Sequence, residues 1–173
     1  MTMLDILIHP DPQLRVKCRP VTDITPQIRT LLADMAETMY AAPGIGLAAP
    51  QVGSEHRLLV LDVGDDEESA RRGRLYKLIN PEIRSRSGKT ESEEGCLSIP
   101  GIRETIKRSA SVVVQGVDES GNDLTIEAEG LLAICLQHEI DHLDGILFID
   151  HLSRLKQQLV KAKYSKLRSA EHE

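Results

Sequence analysis

The chain has no tryptophan, one phenylalanine and three tyrosines, so aromatics make up only 2% of its 173 residues. That scarcity argues against nucleic-acid folds that stack bases on aromatic platforms. Long apolar runs are missing too. No stretch approaches the roughly 18 residues that a membrane-spanning helix needs. Cysteine is scarce, and its count of three is odd. A complete set of internal disulfides is therefore impossible, and the thiols are open to chemistry. The first ten residues carry no basic segment, and their apolar run is too short for a secretory signal. These features lead us to expect a cytoplasmic protein with no membrane association. The net charge of −6 disfavours nonspecific nucleic-acid binding by the chain as a whole. The length predicts one domain over residues 1–173, burying roughly 70% of its unfolded surface in one core.

What is present reads as α+β. Three prolines in the first twenty residues predict extended or turning backbone. Thr25 can cap a helix that starts at Pro26, where a missing N–H costs nothing. Ile28, Leu31, Leu32, Met35 and Met39 give that helix one apolar face, and Pro43-Gly44 ends it. Strands are expected at Arg57–Val63 and Leu75–Ile79. The charged run Gly64–Gly73 between them reads as a solvated loop, and Asn80-Pro81 as a turn. Ser111–Val117 and Asp123–Glu129 flank a turn and read as a hairpin. Gly130 opens a helix that runs from Leu131 to Leu143 and stops near Gly145. A last helix begins near Ser153, with Leu152, Leu155, Leu159 and Leu167 as its expected buried stripe. The expected architecture is short, mostly antiparallel strands packed around a central helix, with a C-terminal helix.

That central helix carries His138-Glu139-Ile-Asp-His142. Residues four apart share one helix face, so two imidazoles can reach one metal ion. Glu139 sits beside the first ligand and can contact a metal-bound water. This is the H-E-x-x-H arrangement of zinc hydrolases. The surrounding Leu131, Leu132, Ile134, Leu136, Ile140 and Leu143 make the helix apolar on most sides, so its polar residues need partners. A catalytic site needs a third protein ligand and one open position. The extended metalloprotease pattern would place a histidine at 148, where phenylalanine stands. Cys18, Cys96, Cys135, Asp144, Asp150 and His151 are the other candidates. Cys135 shares the histidine face, but seven helical residues span about 10.5 Å, too far for one ion. It reads instead as a buried small hydrophobe. Cys18 has no supporting motif. Cys96 lies in Glu94-Gly95-Cys96-Leu97-Ser98, where Gly95 permits close backbone approach. Spacing alone does not decide between Cys96 and an acidic ligand.

A third segment, Gly44-Ile45-Gly46-Leu-Ala-Ala-Pro50-Gln51, partly fits a dinucleotide fingerprint. That fingerprint must follow a strand and open a helix. This one follows a helix, and Pro50 blocks a smooth helical start. No nucleotide cofactor is expected.

Taken together, the segments 44–51, 94–98 and 138–142 resemble the three signature motifs of peptide deformylases, in the family's order and near its spacing. The resemblance extends over most of the chain. It implies removal of the formyl group from the N-terminal formyl-methionine of new polypeptides. It implies Cys96, His138 and His142 as ligands of one divalent metal, ferrous iron first, with zinc, nickel or cobalt as alternatives. Glu139 would move the proton, while the Gln51 amide and the Leu97 backbone N–H would receive the developing oxyanion. Ile45, Gly46, Gly95 and Leu97 would supply a peptide-binding edge. Leu131, Ile134 and Cys135, on the face that ends at His138, would line an aliphatic methionine pocket. Arg103 would stand near the substrate, although Gly101-Ile102 before it differ from the Glu-Gln pair expected in some relatives. Arg154, Lys156, Lys161, Lys163, Lys166 and Arg168, on a stretch with no acidic residue, would contact ribosomal RNA. Two other readings compete. One is a metallopeptidase of another specificity. The other is a metal-binding module without activity, which would need a fourth protein ligand.

Overall fold

The computed structural model describes residues 2–64 and 73–171. Helix α1 spans Pro26–Ala41, and its Thr25 side chain accepts a hydrogen bond from the Ile28 N–H at 3.3 Å. The strands are β1 Gly46–Ala48, β2 Leu58–Leu61, β3 Tyr76–Ser87, β4 Thr90–Cys96, β5 Ile99–Arg108, β6 Ser111–Val117 and β7 Asp123–Glu129. Helix α2 follows at Gly130–Leu143, and α3 at Arg154–Glu171. The fold is α+β, and every strand pairing is antiparallel.

Five strands form one sheet in the order β1-β2-β3-β6-β7, while β4 and β5 make a separate hairpin. The large sheet lies between two helices. Along β2, Leu58 and Val60 pack with Ile28, Leu32 and Met35 of α1, while Leu59 and Leu61 pack with Leu136, Ile140 and Leu143 of α2. Side chains alternate across a strand, so a strand covered on both faces is apolar at every position. This explains the unbroken Leu58-Leu-Val-Leu61 run. A third core cluster joins the β4-β5 hairpin to the C-terminal region through Ile99, Ile102, Ile106, Phe148, Val160 and Tyr164.

Three expectations need correction. Asn80-Pro81 is not a turn: β3 runs through it with an irregular register between Ile79 and Glu82. Asn80 has φ +53, and its side chain bonds both the N–H and the carbonyl of Val21 at 2.8 Å. That long-range pairing holds the kink. The stripe expected of the last helix is also out of phase. Leu152 is buried but precedes the helix, while Leu155 is 67% exposed, Leu159 61% and Leu167 36%. Val160 and Tyr164 are buried instead. They are four residues apart, and they set the inward face by joining the third cluster. Finally, the β4-β5 hairpin went unread because its strands carry Thr, Glu, Ser and Lys at many positions. Of the charged run 64–73, residues 65–72 lie outside the described residues.

Candidate active site

Two structural devices bring distant motifs to α2. The first is the β4-β5 hairpin. Cys96 pairs with Ile99 across a two-residue turn formed by Leu97 and Ser98, and the register shifts between Glu94 and Cys96. Such an irregularity re-aims side chains, and here Cys96 comes to α2. The second is the small-residue segment before β2. Gly46 lies so close to α2 that an added Cβ would stand 2.8 Å from both Cγ and Oε1 of Glu139. Only a residue without a side chain permits that approach.

The donor atoms of Cys96, His138 and His142 all lie within 4.8 Å of one another. Cys96 Sγ is 3.3 Å from His142 Nε2, and the two imidazole centroids are 5.0 Å apart. Both histidines are buried. Phe148, the chain's only phenylalanine, packs face-on to His138 with ring centroids 5.9 Å apart. It occupies the position where the extended metalloprotease pattern would place a ligand. Cys135 lies outside the donor group. It is buried against the Ile45 carbonyl, toward which its thiol points at 3.7 Å. Cys18 is buried in the core between the sheet and α2.

His138 is held from behind. Its Nδ1 is 2.9 Å from Glu94 Oε1, and Glu94 takes two hydrogen bonds from Arg108, at 2.8 and 2.9 Å. Burial alone would raise the Glu94 pKa, but the bonds from Arg108 and His138 outweigh it and hold it at about 2. Arg108 also reaches Asp141 at 2.7 Å. Sequence reasoning assigned no role to Glu94 or Arg108. Glu94 carried a signal, its place in the same short motif as Cys96. Arg108 had none.

The donor set fits a cation. Burial opposes a charge on His138, yet hydrogen bonds to Cys96 and Glu94 raise its pKa to about 10. A proton there answers the same demand for positive charge that a metal ion would. His142 goes the other way: burial, then the charge on His138, push it well below its ordinary value. A neutral imidazole is what metal ligation requires. Glu139 is buried, with Oε1 3.9 Å from His138 Nε2, and its Oε2 has no hydrogen-bond partner among the described residues. A buried orphan oxygen of this kind marks a place for a water or an ion. Burial is the chief reason that the Glu139 pKa rises to about 7, which suits proton exchange near neutrality.

Gln51 is buried. Its amide nitrogen donates to Ser98 Oγ at 3.1 Å and lies 3.6 Å from Cys96 Sγ, while its oxygen accepts from the Ala48 N–H at 2.9 Å. The amide is thereby fixed with its N–H side toward the metal-ligand group. A cleft of about 580 Å³ opens onto these residues. Ile45, Gly46, Gln51, Gly95, Cys96, Leu97, Arg103, Leu131, Ile134, Cys135, His138 and Glu139 all line it. His142, 1% exposed, lies beneath it. Arg103 is at the rim, paired with Glu93 at 3.1 Å.

Comparison with known proteins now bears on this arrangement. Residues 3–158 match the family model of polypeptide deformylase. The chain belongs to the polypeptide deformylase family. It is 50% identical over 167 residues to the peptide deformylase of Alkalilimnicola ehrlichii, covering 96% of this chain and 92% of that one. It is 48% identical to that of Neisseria meningitidis, covering 96% of each. The crystal structure of a peptide deformylase from Legionella pneumophila superposes with a TM-score of 0.90 at 43% identity, over 99% of this chain and 98% of that one. The peptide deformylase of Ehrlichia chaffeensis in complex with actinonin gives 0.89 at 43% identity, over 96% and 98%. In this deformylase-family chain α2 carries the two imidazoles and the acid, and the β4-β5 hairpin carries the sulfur. Among the described residues no helix is long and apolar enough to cross a membrane.

Proposed function

We propose that this chain is a metal-dependent hydrolase that removes the N-formyl group from the terminal formyl-methionine of newly made polypeptides, releasing formate. The observation that carries the reading is the meeting of Cys96, His138 and His142 beside a buried carboxylate, with Cys96, His138 and Glu139 lining a cleft. Residues 1–173 act as one domain in the cytoplasm.

The three side chains would hold one divalent cation, ferrous iron by preference. When bound, such a cation supplies Lewis-acid chemistry, easing the deprotonation of water and polarising the formyl oxygen. Glu139 accepts the proton as water attacks the formyl carbon, then delivers it to the amine nitrogen as the C–N bond breaks. The Gln51 amide and the Leu97 N–H donate to the formyl oxygen as charge builds there. Leu131, Ile134 and Cys135 receive the methionine side chain, and an unbranched thioether suits their aliphatic wall. Ile45, Gly46 and Gly95 hold the peptide backbone, and Arg103 stands at its exit.

The exposed basic side chains of α3 are the surface we assign to ribosomal RNA. Such binding weakens steeply with salt, and a C-terminally shortened protein that still co-sediments with ribosomes would refute it.

Metal removal tests the enzyme reading. A chelator should abolish formate release from a formyl-methionyl peptide, and ferrous iron added anaerobically should restore it. Full turnover by metal-free protein would sink the reading. Cleavage of internal peptide bonds without formate release would favour a metallopeptidase.

A further inference from the structure

A second cleft, about 620 Å³, shares no lining residue with the first. His151, Asp141, Arg108, Gln137, Lys89 and Lys107 are among the residues that line it. Its floor is wired to the metal centre. His151 Nε2 is 2.8 Å from Asp141 Oδ2. The same oxygen takes Arg108 Nη1 at 2.7 Å. Arg108 Nη1 also lies 3.4 Å from His151 Nε2, its Nε and Nη2 donate to Glu94, and Glu94 Oε1 meets His138 Nδ1 at 2.9 Å. The side chains of Arg108, Glu94 and Asp141 are 3%, 6% and 16% exposed, whereas that of His151 is 37% exposed. Solvent therefore meets this chain of hydrogen bonds chiefly at His151.

The arrangement contains an imbalance. Two carboxylates, the buried Glu94 and the half-buried Asp141, share one guanidinium. A carboxylate that loses a hydrogen-bond donor in a poorly solvated place draws harder on those that remain. We propose that His151 is a positioning residue for the metal centre. By donating to Asp141 it leaves Arg108 turned toward Glu94, and Glu94 in turn fixes the orientation of the His138 ring. Groups behind a metal ligand set its geometry and basicity. A neutral imidazole with its hydrogen on Nε2 can also donate this bond, so the role needs no change of protonation. Nothing in the H-E-x-x-H motif points to residue 151. It lies nine positions beyond His142, in the short helical turn Phe148–His151 after α2.

The inference rests on the metal-site reading above, and one experiment separates the two. Wild type, His151→Ala and His151→Gln are each loaded with one equivalent of cobalt(II). Transfer of the metal to excess chelator is followed by the cobalt absorption, and kcat and KM are measured with a formyl-methionyl peptide. His151→Ala should release metal about tenfold faster and lose several-fold in kcat, with KM unchanged. His151→Gln keeps a side-chain N–H donor and should release metal within about twofold of wild type. Wild-type release rates in His151→Ala would overturn the proposal. So would a His151→Gln protein that releases as fast as His151→Ala, since ring packing and not the hydrogen bond would then matter. Failure of the wild type to hold one equivalent would instead sink the metal-site reading itself.

Discussion

Helices α2 and α3 both carry leucines at helical spacing, yet they live in opposite surroundings. Nine of the fourteen residues of α2 are buried, among them Gln137, His138, Glu139 and His142. Of the eighteen in α3, the buried ones are Val160 and Tyr164, and Leu155 and Leu159 face solvent. Buried polar groups must find partners. In α2 the partners of the two histidines belong to the site, Glu94 for His138 and Cys96 beside His142, while Gln137 bonds the backbone of Ser109. In α3 the demand is met by one bond, from the Tyr164 hydroxyl to the His9 carbonyl, and Val160 and Tyr164 pack it into the third core cluster. Chemistry at unusual positions says more about a helix than its count of leucines does.

The contrast can be broken in several places. The largest effect is expected at the donors. His142→Ala removes one of three converging atoms, so metal content should fall below one equivalent and formate release to the level of the chelated enzyme. Unchanged metal and activity would remove His142 from the site. Next comes Gly46→Ala, where a methyl group would collide with Glu139. Misplacing a reacting group by about 1 Å can cost on the order of a hundredfold. We expect kcat to fall about 10- to 100-fold with metal retained, and wild-type kinetics would show that Glu139 has room to move. Leu136 sits at 0% exposure under the sheet. Leu136→Ala should lower unfolding stability by about 2–5 kcal/mol, read from denaturant titration. Leu159→Ala, the smallest effect, should stay within about 0.5 kcal/mol of wild type. Equal losses in these last two would mean that Leu159 is buried in solution.

Much of the site was legible in the chain because its chemistry is local. His138, Glu139 and His142 lie on one helical turn, and Cys96 and Glu94 share a five-residue segment. Both segments declare themselves by residue type. The hairpin Ser111–Val117 with Asp123–Glu129 was legible for the same reason, having alternating strands and a glycine turn, and its bounds match the observed strands. Long-range pairing was not legible. Nothing in Arg108 distinguishes it from a surface arginine until β5 folds back on β4 and carries it to Glu94. The β4-β5 hairpin itself hides behind polar residues, since one sheet of two strands leaves much of its surface to water. The phase of α3 depends on which residues meet Ile99 and Phe148, a tertiary fact. The kink at Asn80 reads as a turn in the sequence because the side-chain bonds that hold it come from Val21, 59 residues away in the chain and outside β3.

The central claim is that a buried carboxylate beside a three-donor metal centre performs the proton transfers of deformylation. The direct measurement compares wild type with Glu139→Gln, each assayed for bound metal and for formate release from a formyl-methionyl peptide on the same anaerobic sample. Equal metal is expected in both, with a loss of about 10² to 10⁴ in kcat for Glu139→Gln. Equal metal with equal turnover would contradict the claim.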